Sequence, residues 1–263
     1  MRSVRTVVFG NQKGGSGKTC SAATLAALLS ADGERVLCID LNDQADFTEI
    51  MGTETDRGKG SIGLFTGEDP LKLVRDTALP GVEMIPATED IALLDIQLDA
   101  TGRERALLLA NALKLFRETY KYCIIDAPGS FNTAMLNALA AANYVVIPSQ
   151  VDAFSLRGIG RMITNIRQVK RTVNPGIQIA GILLVRYQGR RNLSRDAIET
   201  LQKLETAIGA KLFTAKIREN TKVAEATGHQ QTVISYAPDS NGAADYREFY
   251  KELMGIINNR KDG

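Results

Sequence analysis

Three cysteines, one histidine and no tryptophan in 263 residues leave little material for cysteine or histidine chemistry. Cys20, Cys38 and Cys123 form no CxxC pair, which excludes a disulfide framework, a zinc knuckle and an iron–sulfur cluster. All three read as reduced thiols, with Cys38 and Cys123 as small hydrophobes inside apolar runs. His229, in the polar stretch TGHQQ, has no ligand-like spacing and reads as exposed. No apolar run approaches the ~18 residues of a membrane span, and the opening MRSVRTVVFGNQK turns polar too soon for a signal-peptide core. Internal repeats and low-complexity linkers are also absent, so residues 1–263 read as one domain.

What is present is ordinary for a globular chain: 44% hydrophobic and 24% charged residues, enough to bury a large core. Short apolar runs, many of them β-branched, at Thr6–Phe9, Val36–Ile39, Val82–Ile85, Tyr122–Ile125, Tyr144–Ile147, Ile179–Val185, Leu212–Ile217 and Thr232–Tyr236 predict buried strands. Helical periodicity falls between most of them, over 21–29, 103–119, 157–173, 193–208 and 243–257. Strand and helix in alternation predict an α/β fold, a mostly parallel twisted sheet with helices on both faces and ligands at the carboxyl ends of the strands.

After the first strand the chain reads Asn11-Gln12-Lys13-Gly14-Gly15-Ser16-Gly17-Lys18-Thr19, then an Ala- and Leu-rich helix. Strand, glycine loop and helix in that order let successive backbone N–H groups converge on phosphate oxygens. Lys18 is placed to reach the β and γ phosphates and Thr19 to hold Mg²⁺, with Gly14, Gly15, Ser16, Gly17 and Cys20 completing the nucleotide-binding set. Gln12 stands where the usual pattern has its first glycine, and a second lysine, Lys13, precedes Gly14, so the loop is a deviant Walker A of a P-loop NTPase. Asp126 closes the apolar run Tyr122–Ile125 and reads as a Walker B carboxylate in the Mg²⁺ shell. Asp40 closes Val36–Ile39 in the same manner.

KGGSGKT, VLCIDLNDQADFT, YKYCIIDAPGS, VVIPSQVDAFSLRGIG, NLSRDAIETL and IRENTKVAEA, followed by a YREFYKEL helix, resemble the ParA/Soj family of partition ATPases from about residue 5 to 255. The resemblance implies an ATP-driven sandwich homodimer in which Lys13 reaches into the partner subunit's nucleotide. It places Asp40 in the Mg²⁺ and switch segment, and the adenine near Arg218 and Asn220. It also implies a cytoplasmic, nucleoid-associated protein that binds nonspecific double-stranded DNA and is stimulated by a ParB-like activator. The family's Asp-x-Asp-Pro-Gln segment here reads Asp40-Leu41-Asn42-Asp43-Gln44. Asn42 accepts a hydrogen bond from water but cannot take its proton, so slow hydrolysis is expected unless Asp43 has taken over the role.

The charge supports a polyanion partner by its distribution. The chain carries 32 Lys and Arg against 30 Asp and Glu, but residues 157–222 hold 14 against 4, leaving the remainder net acidic. Arg190, Arg191, Arg195, Lys216 and Lys222 are the candidate DNA contacts, clustered without interleaved aromatics as phosphate-backbone binding requires. A MinD-like membrane switch is the alternative and needs an amphipathic terminal anchor. The C-terminal apolar set Tyr246, Phe249, Tyr250, Leu253 and Ile257 reads instead as core packing. An ATP-gated scaffold with little hydrolysis is a further alternative.

Overall fold

A computed structural model describes residues 4–53, 60–98, 102–150, 153–188 and 211–259. Eight strands form one sheet in the order β3-β4-β2-β5-β1-β6-β7-β8. They are β1 (Arg5–Phe9), β2 (Val36–Asp40), β3 (Arg75–Asp76), β4 (Val82–Ile85), β5 (Tyr122–Asp126), β6 (Tyr144–Ser149), β7 (Gln178–Tyr187) and β8 (Leu212–Arg218). All pair in parallel except the two-residue edge strand β3. The expected α/β architecture is therefore present, and seven of the eight expected strands fall where the apolar runs lie.

The eighth does not. Thr232–Tyr236 is a helical turn, α9 (Val233–Tyr236), because the Thr232 side chain accepts from the Ser235 backbone N–H and caps it. An N-cap oxygen satisfies an otherwise orphaned amide, and this local bond overrides the strand preference of a β-branched run. The expected helix over 103–119 is shorter, α5 (Gly102–Leu113), with a tight turn at Lys114–Phe116 before β5. The expected helix over 193–208 lies outside the described residues.

Period-two alternation divides the strands between two cores. Val8, Ile39, Cys123, Ile125 and Ile147 face one core, with α5, α6 (Thr133–Ala141) and α7 (Ala153–Thr172). Val7, Phe9, Cys38, Ile124 and Val146 face the other, with α1 (Lys18–Ala31) and α10 (Asn241–Asn258). Cys38 and Cys123 thus lie in different cores, which keeps them apart as buried thiols. On α10, Tyr246, Phe249, Leu253 and Ile257 are buried, and Phe249 meets Phe9 and Phe213 edge to face. That apolar stripe is spent on the core. Among the described residues no helix is long and apolar enough to cross a membrane.

β1 sits at the centre, with β5 and β2 on one side and β6 on the other. Chain connections diverge from it, so the carboxyl edge of β1 is the crevice where such sheets place ligands.

Candidate functional site

The chain leaves β1 through Gly10 and turns into α1 at Gly17, whose φ of 84° lies in the left-handed region. A Cβ there would also meet Val185 of β7 at 3.2 Å, so only glycine fits. Two side chains brace the loop against the β6 end: Asn11 Nδ2 donates to the Pro148 carbonyl at 2.7 Å and Gln150 Nε2 to the Gly15 carbonyl at 2.8 Å. Beyond the loop lies a cavity of about 1150 Å³, and residues 14–20 form one wall of it.

Asp40 and Asp126 end adjacent parallel strands in direct register, so their carboxylates stand side by side next to the phosphate loop. Both are fully buried. Thr19 Oγ1, in the first turn of α1, donates to Asp126 Oδ2 at 2.6 Å. Burial and the neighbouring Asp40 charge push the Asp126 carboxyl up to about 8, against the Thr19 bond and Lys18. Burial likewise raises Asp40, to about 6. Two buried carboxylates this close resist ionising together, which is a standing demand for a cation.

The two aspartates differ in what holds them. Asp40 accepts from the Asn42 amide at 3.0 Å and from both the amide and hydroxyl of Thr48, at 3.0 and 2.9 Å. The Thr48 hydroxyl in turn accepts from the Ala87 amide at 3.0 Å, tying Asp40 to the chain beyond β4. Asp126 Oδ1 is buried with no partner, and so is the Ser16 hydroxyl inside the phosphate loop. Orphaned polar atoms at those two points fit a Mg²⁺ ion and a phosphate. Lys18 is buried beside them with its Nζ 3.4 Å from the Lys13 carbonyl. Burial pulls its pKa below the ordinary lysine value, partly offset by Asp126, so an anion arriving there meets a poorly solvated ammonium.

The loop's two lysines face different spaces. Lys18 lines the large cavity, whereas Lys13 lines a separate cleft of about 860 Å³ with Gln12, Phe131, Arg157, Arg161 and Asn165.

At the far end of the large cavity lie Ile217, Arg218, Asn220, Val223, Cys20 and Tyr246. Arg218 is anchored by a two-pronged pair with Asp245 of α10, at 2.8 and 2.7 Å, and its own amide donates to the same carboxylate at 3.0 Å. Asn220 Oδ1 accepts from the Lys222 amide and so caps α8 (Thr221–Gly228). The structure thus brings Gly14–Cys20, Asn42, Arg218 and Asn220 to one cavity, with Asp126 bonded to Thr19 of its wall and Asp40 beside Asp126. Of the candidate DNA contacts, Lys216 lies over the Tyr187 ring at 5.0 Å and Lys222 pairs with Glu225 at 2.7 Å. Arg190, Arg191 and Arg195 lie outside the described residues.

Sequence reasoning missed Thr48, Gln150, Asp245 and the Asp95–Arg105–Thr133 hydrogen-bond cluster at the cavity rim. Thr48 carried a detectable signal, a hydroxyl one short helix beyond a strand-end aspartate. The others act through partners distant in sequence, Gln150 on Gly15 at 135 positions and Asp245 on Arg218 at 27.

A family model described as an AAA domain matches residues 4–179. The chain is 36% identical over 254 residues to the chromosome-partitioning ATPase Soj of Thermus thermophilus, covering 97% of each chain. It is 33% identical over 262 residues to the chromosome partitioning protein ParA of Caulobacter vibrioides, covering 98% of this chain and 97% of the relative. Among solved structures it is similar to cobyrinic acid a,c-diamide synthase from Mycobacterium smegmatis with bound ADP and magnesium. The TM-score is 0.82 at 28% identity, covering 98% of this chain and 97% of that one.

Proposed function

Since the chain belongs to the ParA/Soj family of partition and positioning ATPases, with ATP as substrate and Mg²⁺ as cofactor, we propose that ATP converts it into a homodimer that binds duplex DNA without sequence preference. The observation that carries this reading is the separation of Lys13 from Lys18. Lys13 lines the cleft with Arg157 and Arg161, whereas Lys18 lines the nucleotide cavity of its own chain. A cation so placed serves a second molecule's triphosphate, offsetting charge that accumulates only when two ATP-loaded faces meet.

Within one chain the division of labour follows from the geometry. The amides of Gly14 to Thr19 and the Lys18 ammonium bind the phosphates, and Arg218 and Asn220 bound the base end. Thr19 and Asp126 would hold Mg²⁺ directly, with Asp40, already hydrogen-bonded on both oxygens, reaching its water shell. The ion supplies positive charge to the β and γ phosphates when bound. Residues 1–263 act as a single ATPase domain, and the amide at Asn42 cannot take the proton of the attacking water. A ParB-like protein is the expected activator and the nucleoid the expected location.

Sizing and duplex binding measured with ATP, ADP and no nucleotide test the proposal. ATP alone should produce the dimer and the DNA complex, scrambled duplexes should compete equally, and affinity should fall steeply with salt. Lys13→Ala should retain ATP binding yet lose the dimer. A dimer that forms equally well in that variant, or DNA affinity indifferent to nucleotide, removes the proposal.

A further inference from the structure

We propose that Asp46, and not Asp43, supplies the carboxylate that positions and deprotonates the attacking water, the task an amide at position 42 cannot perform. The inference rests on the ATPase activity alone and is independent of dimerisation or DNA binding.

Asn42, Asp43 and Asp46 all line the phosphate cavity. The chain between them is a tight turn, closed by the Ala45 amide donating to the Asn42 carbonyl at 3.1 Å. Ala45 takes up a left-handed φ of 53°, a conformation that an alanine rarely adopts. That reversal starts the short helix α2 (Asp46–Ile50) with Asp46 as its first residue. Two residues on, Thr48 fixes the helix to Asp40 through its amide and hydroxyl. Asp46 is therefore carried on an element docked to Asp40, whereas Asp43 sits in the turn before that helix, and both carboxylates are exposed.

Electrostatics separates the two acids. The Asp46 charge is felt at both Asp40 and Asp126, raising each. Partial burial and Glu49 also raise Asp46 itself, the direction that makes a carboxylate a better proton acceptor. Yet among the described residues no three acidic, cysteine or histidine side chains converge as a metal cage. Asp46 is close enough to sense the metal-site carboxylates without being one of them. No hydrogen bond among the described residues holds its carboxylate, which leaves it available to a water.

In the step assigned to it, the water oxygen bonds to the γ-phosphorus as its proton passes to the Asp46 carboxylate. The bond from the γ-phosphorus to the bridging oxygen breaks, ADP departs with that electron pair, and Asp46 later releases the proton to solvent.

Single-turnover hydrolysis of Mg·ATP by the full-length protein, without DNA, tests this, with ATP affinity measured in parallel by a fluorescent analogue. Asp46→Asn should slow hydrolysis about 10²-fold, the lower end of the range for a positioned base, with affinity unchanged within about twofold. Asp43→Asn should slow hydrolysis far less than Asp46→Asn. Exchanging the two groups, Asn42→Asp with Asp46→Asn, should recover most of the rate, a rescue that a merely structural role for Asp46 would not give. The proposal is overturned if Asp46→Asn turns over normally, if Asp43→Asn is the slow variant, or if the exchange restores nothing. Failure of ATP-dependent DNA binding in the unaltered protein would remove the proposed function and leave this result standing.

Discussion

At the phosphate end of the cavity, Asp126 keeps a buried oxygen without a partner and Ser16 a buried hydroxyl. At the base end, Arg218 is fully engaged with Asp245 and Asn220 is engaged in capping α8. One end is built around groups the fold leaves unsatisfied, the other around groups it has already paired. Buried polar atoms without partners are costly, so the phosphate end spends folding stability on readiness for a charged ligand. The base end spends little, and contributes shape through Ile217, Val223 and Tyr246.

The largest effect that would sharpen this contrast comes from Lys18→Met, which keeps the packing of the stem and deletes the charge. Loss of charge-assisted bonds worth about 1.5–3 kcal/mol each should weaken ATP by at least about 10²-fold. Stability without nucleotide should be unchanged or higher, because burial already penalises the ammonium there. A calorimetric titration with a melting curve reads both. A variant that loses stability in the absence of ATP would show that Lys18 is satisfied by the fold and break the contrast.

Thr48→Val is next. It strips one hydrogen bond from Asp40 and leaves the Ala87 amide unpaired in a site with no solvent. An unsatisfied buried donor costs about 1–3 kcal/mol, or a fall in Tm of several degrees for a chain of this size. Thr48→Ser should recover most of it. Equal melting temperatures for the valine variant and the parent would mean that Asp40 is not braced as described.

The pair of carboxylates also sets a pH dependence. Asp126 titrates near 3.8 in the unfolded chain and is raised to about 8 in the fold. Between those values the folded chain holds a proton that the unfolded chain has released, so stability falls as pH rises from about 4 to 8. With EDTA and no nucleotide, the parent should lose Tm across that window and Asp126→Asn should lose less. Mg·ATP should stabilise the parent more at pH 8 than at pH 6. A parallel pH profile in the two chains would mean the pair is already neutralised within the fold.

How much of this was legible in the sequence follows the same division. The phosphate end was readable because its parts lie in short motifs at strand ends: Gly14–Thr19 after β1, Asp40 as the last residue of β2 and Asp126 as the last of β5. A buried strand fixes where its last residue points, so a strand-end carboxylate is located once the strand is found. The base end was only partly readable, since the anchor of Arg218 is Asp245, 27 residues later on another element. Thr232–Tyr236 failed for a related reason, as one capping hydrogen bond outweighed five residues of strand-like composition. Thr48 lay in the same segment as Asp40, but its importance depends on the Ala87 amide, 39 positions away.

The smallest effect concerns Lys222, which behaves like the base end in that its charge is already paired. Lys222 pairs with Glu225 at 2.7 Å, the same carboxylate accepts from the Tyr236 hydroxyl at 3.1 Å, and the ammonium lies 5.9 Å from the Tyr236 ring centroid. An exposed pair of this kind is weak and screened by salt, so a DNA phosphate can replace Glu225 at little cost. Glu225→Gln should then raise DNA affinity of the ATP form about two- to threefold by removing a competing anion. Lys222→Gln should flatten the slope of log affinity against log salt by about 0.9, the contribution of one phosphate contact. Fluorescence anisotropy across a salt series measures both. If Glu225→Gln leaves affinity unchanged and Lys222→Gln leaves the slope unchanged, Lys222 belongs to the scaffold of α8, and the DNA contacts fall to the other cations of the basic region.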